Sequence, residues 1–590
     1  MSADMEISTP DFQLYPSGNA AEKNHIVIVG AGIIGSCTAY YLTQHPDFDP
    51  STHHITVLES REVAGGASGK AGGLLASWAF PQQIVPLSFQ LHQELSDMYD
   101  GAKNWDYRRL TTVSLEADLK LAEQHIPLYE DNNGVISEGK KAYSLDVPPP
   151  KKAAFKKKEK NKSKGKNFSL AGSSSEEEDS SDSDHGEKKP NHKDMNGKKD
   201  ATLSKNEDDD EDDEADNSSI ISGGGGPNIK DEVAMNSGDE SSDEATGRTL
   251  GNMSTNPGSS IYFNSQNIKT QLPRDLTWVR NDIVTDWSSL GGTDSTAQVH
   301  PHKFTHYLLQ KAMETGAVEL IRGKVINISV DDTGSATGIT YIPTKWSRED
   351  QMKEEREANE NEGHSASEKQ RRHSDKVPIH ITDIHQLVLS MGPWTSKLLK
   401  NCPISGLRAH SITIRPSSGP SPQGKRKNMG NKPTIENYVS PYAIFTELKT
   451  GDNEYFSPEL YARRDEVYVC GEGDTLVGLP ETSDEVQIVE EKCDQLYHYV
   501  SKLSPVLSEG EILTKQACYL PVLNVPTSSG PLIGETNIKN LFVASGHSCW
   551  GINNAPATGK ILSEILLEGE ANSAEISALD PKLYFDASIH

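Results

Sequence analysis

The chain reads as α/β with an α+β portion beside it, interrupted by long charged insertions. Three observations predict this. Residues His25–Gly35, HIVIVGAGIIG, run from a continuous Val/Ile strand into a glycine turn and then a helical pattern. A second short apolar strand, Ile55–Leu58, ends on Glu59. From about Val147 apolar residues give way to charge, and the apolar pattern resumes only at Leu272.

The run Ile26–Val29 has the character of a strand buried on both faces. Gly30-Ala31-Gly32-Ile33-Ile34-Gly35 is a GxGxxG turn, and the helix after it is predicted to end at Pro46. Each part has a job in a dinucleotide site. Gly30 permits the turn, Gly32 lets backbone N–H groups approach a pyrophosphate, and Gly35 lets helix and strand pack closely. The helix N-terminus favours phosphate charge, and Glu59 is placed to hold a ribose diol. Strand, turn, helix, strand and acid in that order make the signal far stronger than a GxGxxG alone.

After Glu59, the segment REVAGGASGKAGGLLASWAF leaves little side chain to obstruct a ligand. From Pro86 the run LSFQLHQELSDMY is amphipathic at helical spacing, and Arg108–Leu115 alternates like a strand. Beyond the insertion, Pro301 opens a helix closed by Gly316. Strands are expected at Val318–Ile321, Lys324–Val330 and Gln386–Ser390, the last running into Met391-Gly392-Pro393-Trp394. Tyr461–Gly473 reads as a hairpin, Val543–His547 ends a last strand, and Pro556–Leu567 forms the closing helix.

The stretch 147–258 runs from a lysine-rich block through serine–acid repeats to Gly223–Gly226, too polar to offset the entropy of ordering, and is expected to be a disordered insertion. Ser173–Ser175 and Ser180, flanked by acids, suit acidophilic kinases, and the acidic run suits a basic protein partner. Two further flexible loops are expected near 345–375 and 416–432. The net charge of −28 disfavours nonspecific binding to nucleic acid or anionic membrane. Six scattered cysteines without a CxxC suit a reducing compartment. No secretory leader, membrane-length apolar run or peroxisomal C-terminal signal is legible, so a cytoplasmic protein is expected, with peripheral attachment to an endomembrane left open.

Five blocks together resemble one family, the D-amino-acid-oxidase-like FAD oxidoreductases that include glycine oxidase and sarcosine oxidase. They are GAGIIG with Glu59; GGASGKAGGLL at 65–75; the helix after Pro301 with the Lys324–Ile328 strand; LVLSMGPW at 387–394; and PLIG followed by VASGHSCWGINNAPATGK at 531–560. The resemblance implies a discontinuous, Rossmann-like FAD domain of the glutathione-reductase type with an antiparallel-sheet substrate domain. An N-terminal arm (1–24) would precede FAD-domain pieces at 25–85, 301–400 and 529–570. Substrate-domain pieces would fall at 86–146, 259–300 and 401–528, with a tail at 571–590.

The resemblance also implies site residues. Gly30, Gly32, Ile33, Ile34 and Gly35 with Glu59 and Ser60 would hold the ADP half of FAD. Ser68, Lys70, Ala71, Gly72, Gly73 and Leu74 would pass the pyrophosphate and approach the ring. Val325 would pair with adenine, and Gly392 and Trp394 would line the cofactor from below. Gly546, His547, Gly551, Ile552 and Asn553 would sit at the pyrimidine edge of the flavin. The reaction implied is hydride transfer from a carbon bearing nitrogen to the flavin, with O2 as final acceptor and a small amine or amino acid as substrate.

Many relatives carry an Arg-Pro step before the PLIG-like block, where the guanidinium binds a substrate carboxylate. Here the step reads Leu520-Pro521, and leucine cannot do that job. Arg408, His410 and Trp550 are the remaining substrate-site candidates, with Arg463 and Arg464 as further substitutes on paper. Cys518 falls near the flavin-linking cysteine of the sarcosine oxidases, but glycine oxidases lack such a bond, so non-covalent FAD is expected. His302 and His306, four apart on a helix, and Cys549 read as packing residues rather than a metal pair and a redox thiol. The competing reading of the whole chain is a flavin-binding scaffold with little turnover; a nicotinamide dehydrogenase is disfavoured by the GGASGKAGG and GHSCWG blocks.

Overall fold

The computed structural model describes residues 23–124, 128–130, 136–138, 271–344, 377–417, 442–528 and 530–588. The expected arm, the insertion with its serines and acidic run, and most of the two further loops lie outside the described residues.

Two eight-stranded sheets carry the fold. In the first, five strands run parallel in the order Val318–Val330, His53–Glu59, Asn24–Val29, Gln386–Leu389, Leu541–Ser545. Antiparallel strands extend it at both sides: Ala336–Pro343 and Ile379–Thr382 at one, Leu532–Glu535 at the other. The continuous apolar character of the first strand has a direct cause. Ile26 and Ile28 pack into the helix-covered core, while Val27 and Val29 pack into the core of the opposite face. Both faces are dry, so no polar alternation survives. Helices Ile33–Gln44, Pro301–Met313 and Gly551–Glu568 share the first of these cores. Strand Val318–Val330 serves two partners: Val318–Arg322 pairs with the Glu59 strand and Gly323–Val330 with Ala336–Pro343.

The second sheet runs Glu511–Leu523, Ile404–Arg415, Val467–Asp474, Glu459–Ala462, Tyr442–Gly451, Thr111–Asp118, Val284–Gly291, with Glu454–Phe456 paired onto the Tyr442 strand. It is antiparallel except where Tyr442–Lys449 lies parallel to Thr111–Asp118. The hairpin read from YARRDEVYVCGEG is present, with Ala462 opposite Val467.

One helix starts earlier than its sequence suggests. Pro556 marked the expected start, yet the helix runs Gly551–Glu568 with Pro556 inside it. Proline removes the donor that would reach the Ile552 carbonyl. His92, on helix Val85–Tyr99, supplies a replacement through Nε2 at 2.9 Å.

Candidate active site

A cavity of about 410 Å3 runs along the C-terminal edge of the parallel strands. At one end lie Glu59, Ser60 and Val325; at the middle Gly32, Ile33 and Ser68; at the other end Leu520, His547, Gly551 and Ile552.

The glycine turn is built as its spacing predicts. Gly30 takes φ +105°, donates its N–H to the Leu58 carbonyl at 2.7 Å, and has no room for a Cβ, which would meet the Ser390 carbonyl oxygen at 2.7 Å. A Cβ on Gly35 would fall 2.0 Å from the Gly30 carbonyl oxygen, so its absence allows helix and turn to touch. Glu59 organises the turn from beneath. Its carboxylate accepts the Ala31 and Arg61 N–H groups at 2.9 Å each and the Ser60 hydroxyl at 3.0 Å. Burial pushes the acid above its ordinary range, while those donors pull the other way.

Neither long helix that points into the cavity has a side-chain cap of its own. The Ile33–Gln44 helix begins at Gly32 and the Gly551–Glu568 helix at Trp550, without a capping bond. Unsatisfied first-turn N–H groups carry partial positive charge. At the first helix one is met from a distance, by the Ser68 Oγ that accepts the Ile33 N–H at 2.9 Å. Two anion-favouring helix N-termini thus face the cavity, and glycines 30, 32 and 66 leave that part of its lining free of side chains. This fits a dinucleotide with a diphosphate near one helix and a flavin ring, which gains negative charge on reduction, near the other.

Other residues support this frame. Gly392 takes φ +55° and its carbonyl accepts the Ser545 hydroxyl at 2.8 Å. Trp394 donates Nε1 to the Pro480 carbonyl at 2.9 Å. Lys324 and Lys397 both reach Glu481, at 2.6 and 2.5 Å, and hold that carboxyl at about 2. Burial lowers His547 to about 3, so it stands neutral, with Nε2 3.1 Å from Thr558 Oγ1.

Of the residues implied by the resemblance, Gly30, Gly32, Ile33, Ile34, Glu59, Ser60, Ser68, Ala71, Val325, Gly392, Trp394, His547, Gly551 and Ile552 line the cavity, as does Leu520. Gly35, Lys70, Gly72, Gly73, Leu74, Gly546 and Asn553 lie behind its wall. Gly72 makes room for Tyr461, whose ring would be 2.3 Å from an added Cβ, Lys70 reaches the Ala517 carbonyl, and Asn553 accepts the Ala76 N–H.

The arginine candidates are all engaged elsewhere. Arg408, 1% exposed, gives Nε and Nη2 to Asp474 and Nη1 to the Gln487 carbonyl. The register explains it: Arg408 lies opposite Tyr519 and Leu407 opposite Leu520, so Arg408 and Leu520 face opposite sides of one sheet. His410 accepts the Val489 N–H at 3.0 Å on the same side as Arg408. Arg463 pairs with Glu466 and donates to the Ala71 carbonyl, and Arg464 reaches the Ala102 carbonyl. Trp550 is buried against Trp78 and Phe80. Cys518 is buried beside Lys70, its thiol pushed up to about 11 by burial. His302 and His306 stack on each other, ring centroids 4.1 Å apart.

Sequence reading overlooked a cluster next to this cavity: Glu459, Tyr461 and Cys470. Glu459 and Tyr461 share one strand face and Cys470 lies directly opposite Glu459. The available signal was a glutamate alternating with apolar residues inside a strand, PELYA.

The fold and cavity define a flavin-dependent oxidoreductase, and comparison with known proteins agrees. The chain belongs to the DAO family of FAD dependent oxidoreductases, which matches residues 25–145 and 288–565. It binds FAD and is an oxidoreductase of the amine and amino-acid oxidase type. It is 55% identical to TDA3 of Saccharomyces cerevisiae, an oxidoreductase by name, over 98% of each chain. It is 26% identical to C1F5.03c of Schizosaccharomyces pombe, over 95% of this chain and 99% of that one. Among solved structures, iminodiacetate oxidase from Chelativorans sp. BNC1 aligns with a TM-score of 0.48 at 13% identity, over 94% of this chain and 99% of the other. Among the described residues no helix is long and apolar enough to cross a membrane.

Proposed function

We propose that the chain oxidises the C–N bond of a secondary or otherwise weakly anionic amine rather than a small zwitterionic amino acid. The observation that carries this reading is the cavity wall at Leu520 and Pro521, together with the commitment of Arg408, Arg463 and Arg464 to other partners. A carboxylate placed against that wall would lose its water without gaining a guanidinium, at a cost of several kcal/mol.

Bound FAD supplies the hydride acceptor, which O2 later reoxidises. The chain's own part is to hold and orient. Gly32, Ile33 and Ser68 would take the diphosphate at the helix N-terminus. Glu59 would receive the ribose hydroxyls on lone pairs left over from its backbone donors. Val325 would flank the adenine, and Gly551 and Ile552 would present N–H groups to the flavin's pyrimidine edge. Cys518 is absent from the cavity lining and burial pushes its thiol up, which supports a flavin held without a covalent bond; acid precipitation should then release all of it.

Anaerobic mixing of the purified holoprotein with two substrate panels tests the reading. Secondary amines without a carboxylate should bleach the flavin faster than glycine, sarcosine and simple D-amino acids. Faster bleaching by the amino acids would overturn it. Firmly bound FAD that no amine reduces would favour a scaffold instead.

A further inference from the structure

Glu459 occupies an unusual place. It lies in the second sheet, between Phe445 on one neighbouring strand and Cys470 on the other. Its side chain keeps some accessible surface, although burial raises the acid. The Tyr461 hydroxyl and the Cys470 thiol both donate to Oε2, the latter at 3.7 Å. Oε1 accepts nothing among the described residues, and no lysine, arginine or histidine there pairs with this carboxylate. A buried acid left without a cation is costly unless a ligand brings one.

The sheet face on which it stands is aromatic. Phe445, Tyr461, Tyr468, Trp78, Phe80 and Trp550 belong to or pack on one apolar cluster. Tyr461 stands edge-on to Phe445 and stacks on Tyr468; Trp550 stands edge-on to Trp78 and Phe80. Ring faces attract cations, more so when water is excluded. The cluster adjoins the cofactor cavity through Cys549, which lines that cavity, packs on the cluster, and is pushed up to about 12 by burial and by the charge of Glu459.

We propose that Glu459 and the aromatic rings around it form the recognition pocket for the substrate's positive charge, the carboxylate pairing with a cationic nitrogen. This rests on the amine-oxidase reading above and narrows it: the chain selects its substrate by the ammonium end, where relatives with the arginine select by the carboxylate end.

Burial raises Glu459 to about 7, while Tyr461, Tyr468, Cys470 and Cys549 are all pushed upward and remain neutral below pH 9. Arg463, which lies over the Tyr468 ring, is paired with Glu466. Recognition of a cation should therefore switch on as pH rises through about 7.

The probes are choline, which carries a charge at every pH and has no N–H, and 3,3-dimethylbutanol, its uncharged isostere. Each is titrated into the FAD-loaded protein and followed by the flavin difference spectrum between pH 5.5 and 8.5. Expected are at least tenfold tighter binding of choline at pH 8.5, loss of that preference by pH 5.5, and its loss at all pH values in Glu459→Gln with FAD content unchanged. Equal affinity for the two probes in the wild type, no binding of choline, or a preference that persists in Glu459→Gln would overturn the proposal. Should the variant fail to fold, the wild-type pH profile decides alone: a flat preference overturns it. The amine-oxidase reading fails separately, through the anaerobic reduction panels, since choline binding needs no turnover.

Discussion

His92 and Ile552 are joined across the core: the imidazole Nε2–H donates to the Ile552 carbonyl at 2.9 Å, filling the bond that Pro556 denies its own helix. Ile552 lines the cavity, so a histidine more than four hundred residues away fixes the helix turn that faces it.

His92→Leu should leave that carbonyl buried and unsatisfied, costing about 1–3 kcal/mol in urea unfolding. FAD affinity should fall with it. Unchanged unfolding midpoints would show the carbonyl finds another donor.

Acid should destabilise the fold below neutrality. Burial lowers His25, His92, His302 and His410 to about 4, beneath the ordinary 6.5. A lowered histidine means the unfolded chain binds more protons, so its contribution is complete above pH 6.5 and declines as pH falls toward 4. Thermal melts from pH 7.5 to 4.5 should show Tm dropping through that window, and less steeply for His92→Leu. A level Tm would contradict the buried, neutral state of these rings.

Gly32→Trp should abolish FAD binding with secondary structure preserved. The added ring would fill the approach to the Ile33 helix, where a Cβ alone already meets Ser68 Oγ at 3.0 Å. Flavin absorbance after gel filtration and circular dichroism give the two readouts; a yellow variant would move the diphosphate elsewhere.

Arg408→Leu should destabilise without altering substrate preference. Breaking its buried pair with Asp474 should cost about 3 kcal/mol, softened by Lys492, which also reaches Asp474 at 2.9 Å. If flavin-reduction kinetics with glycine collapse while stability holds, Arg408 binds substrate after all.

Leu520→Arg should improve glycine-type substrates by tenfold or more in kcat/KM, because a bidentate ion pair is worth about 2 kcal/mol or more, roughly thirtyfold in binding. No gain for any carboxylate-bearing substrate would mean that position 520 does not face the substrate.

What could be read in advance, and what could not, follows from the range of the interactions. The turn at Gly30–Gly35 was legible because its constraints are local: a strand dry on both faces, a positive φ, a helix start. Leu520 was legible as a departure, since one side chain replaced another in a known step. The true start of the Gly551 helix was hidden because the donor that tolerates Pro556 is His92, far off in sequence. Arg408 was read as a substrate candidate because only the strand register, Arg408 opposite Tyr519, shows which face it takes. Glu459 passed unnoticed because its aromatic surroundings come from five separate segments, and nothing in PELYA announces them.

The first strand, Asn24–Val29, lies between the Glu59 strand and Gln386–Leu389. His25 therefore meets His385 only after 360 further residues have left the ribosome, a wait on the order of tens of seconds. Throughout that time one edge of a strand whose Ile26–Val29 run is wholly apolar stands open. Until Gln386–Leu389 emerges, that edge of the sheet has no partner, and the cavity that its C-terminal end helps to line cannot close.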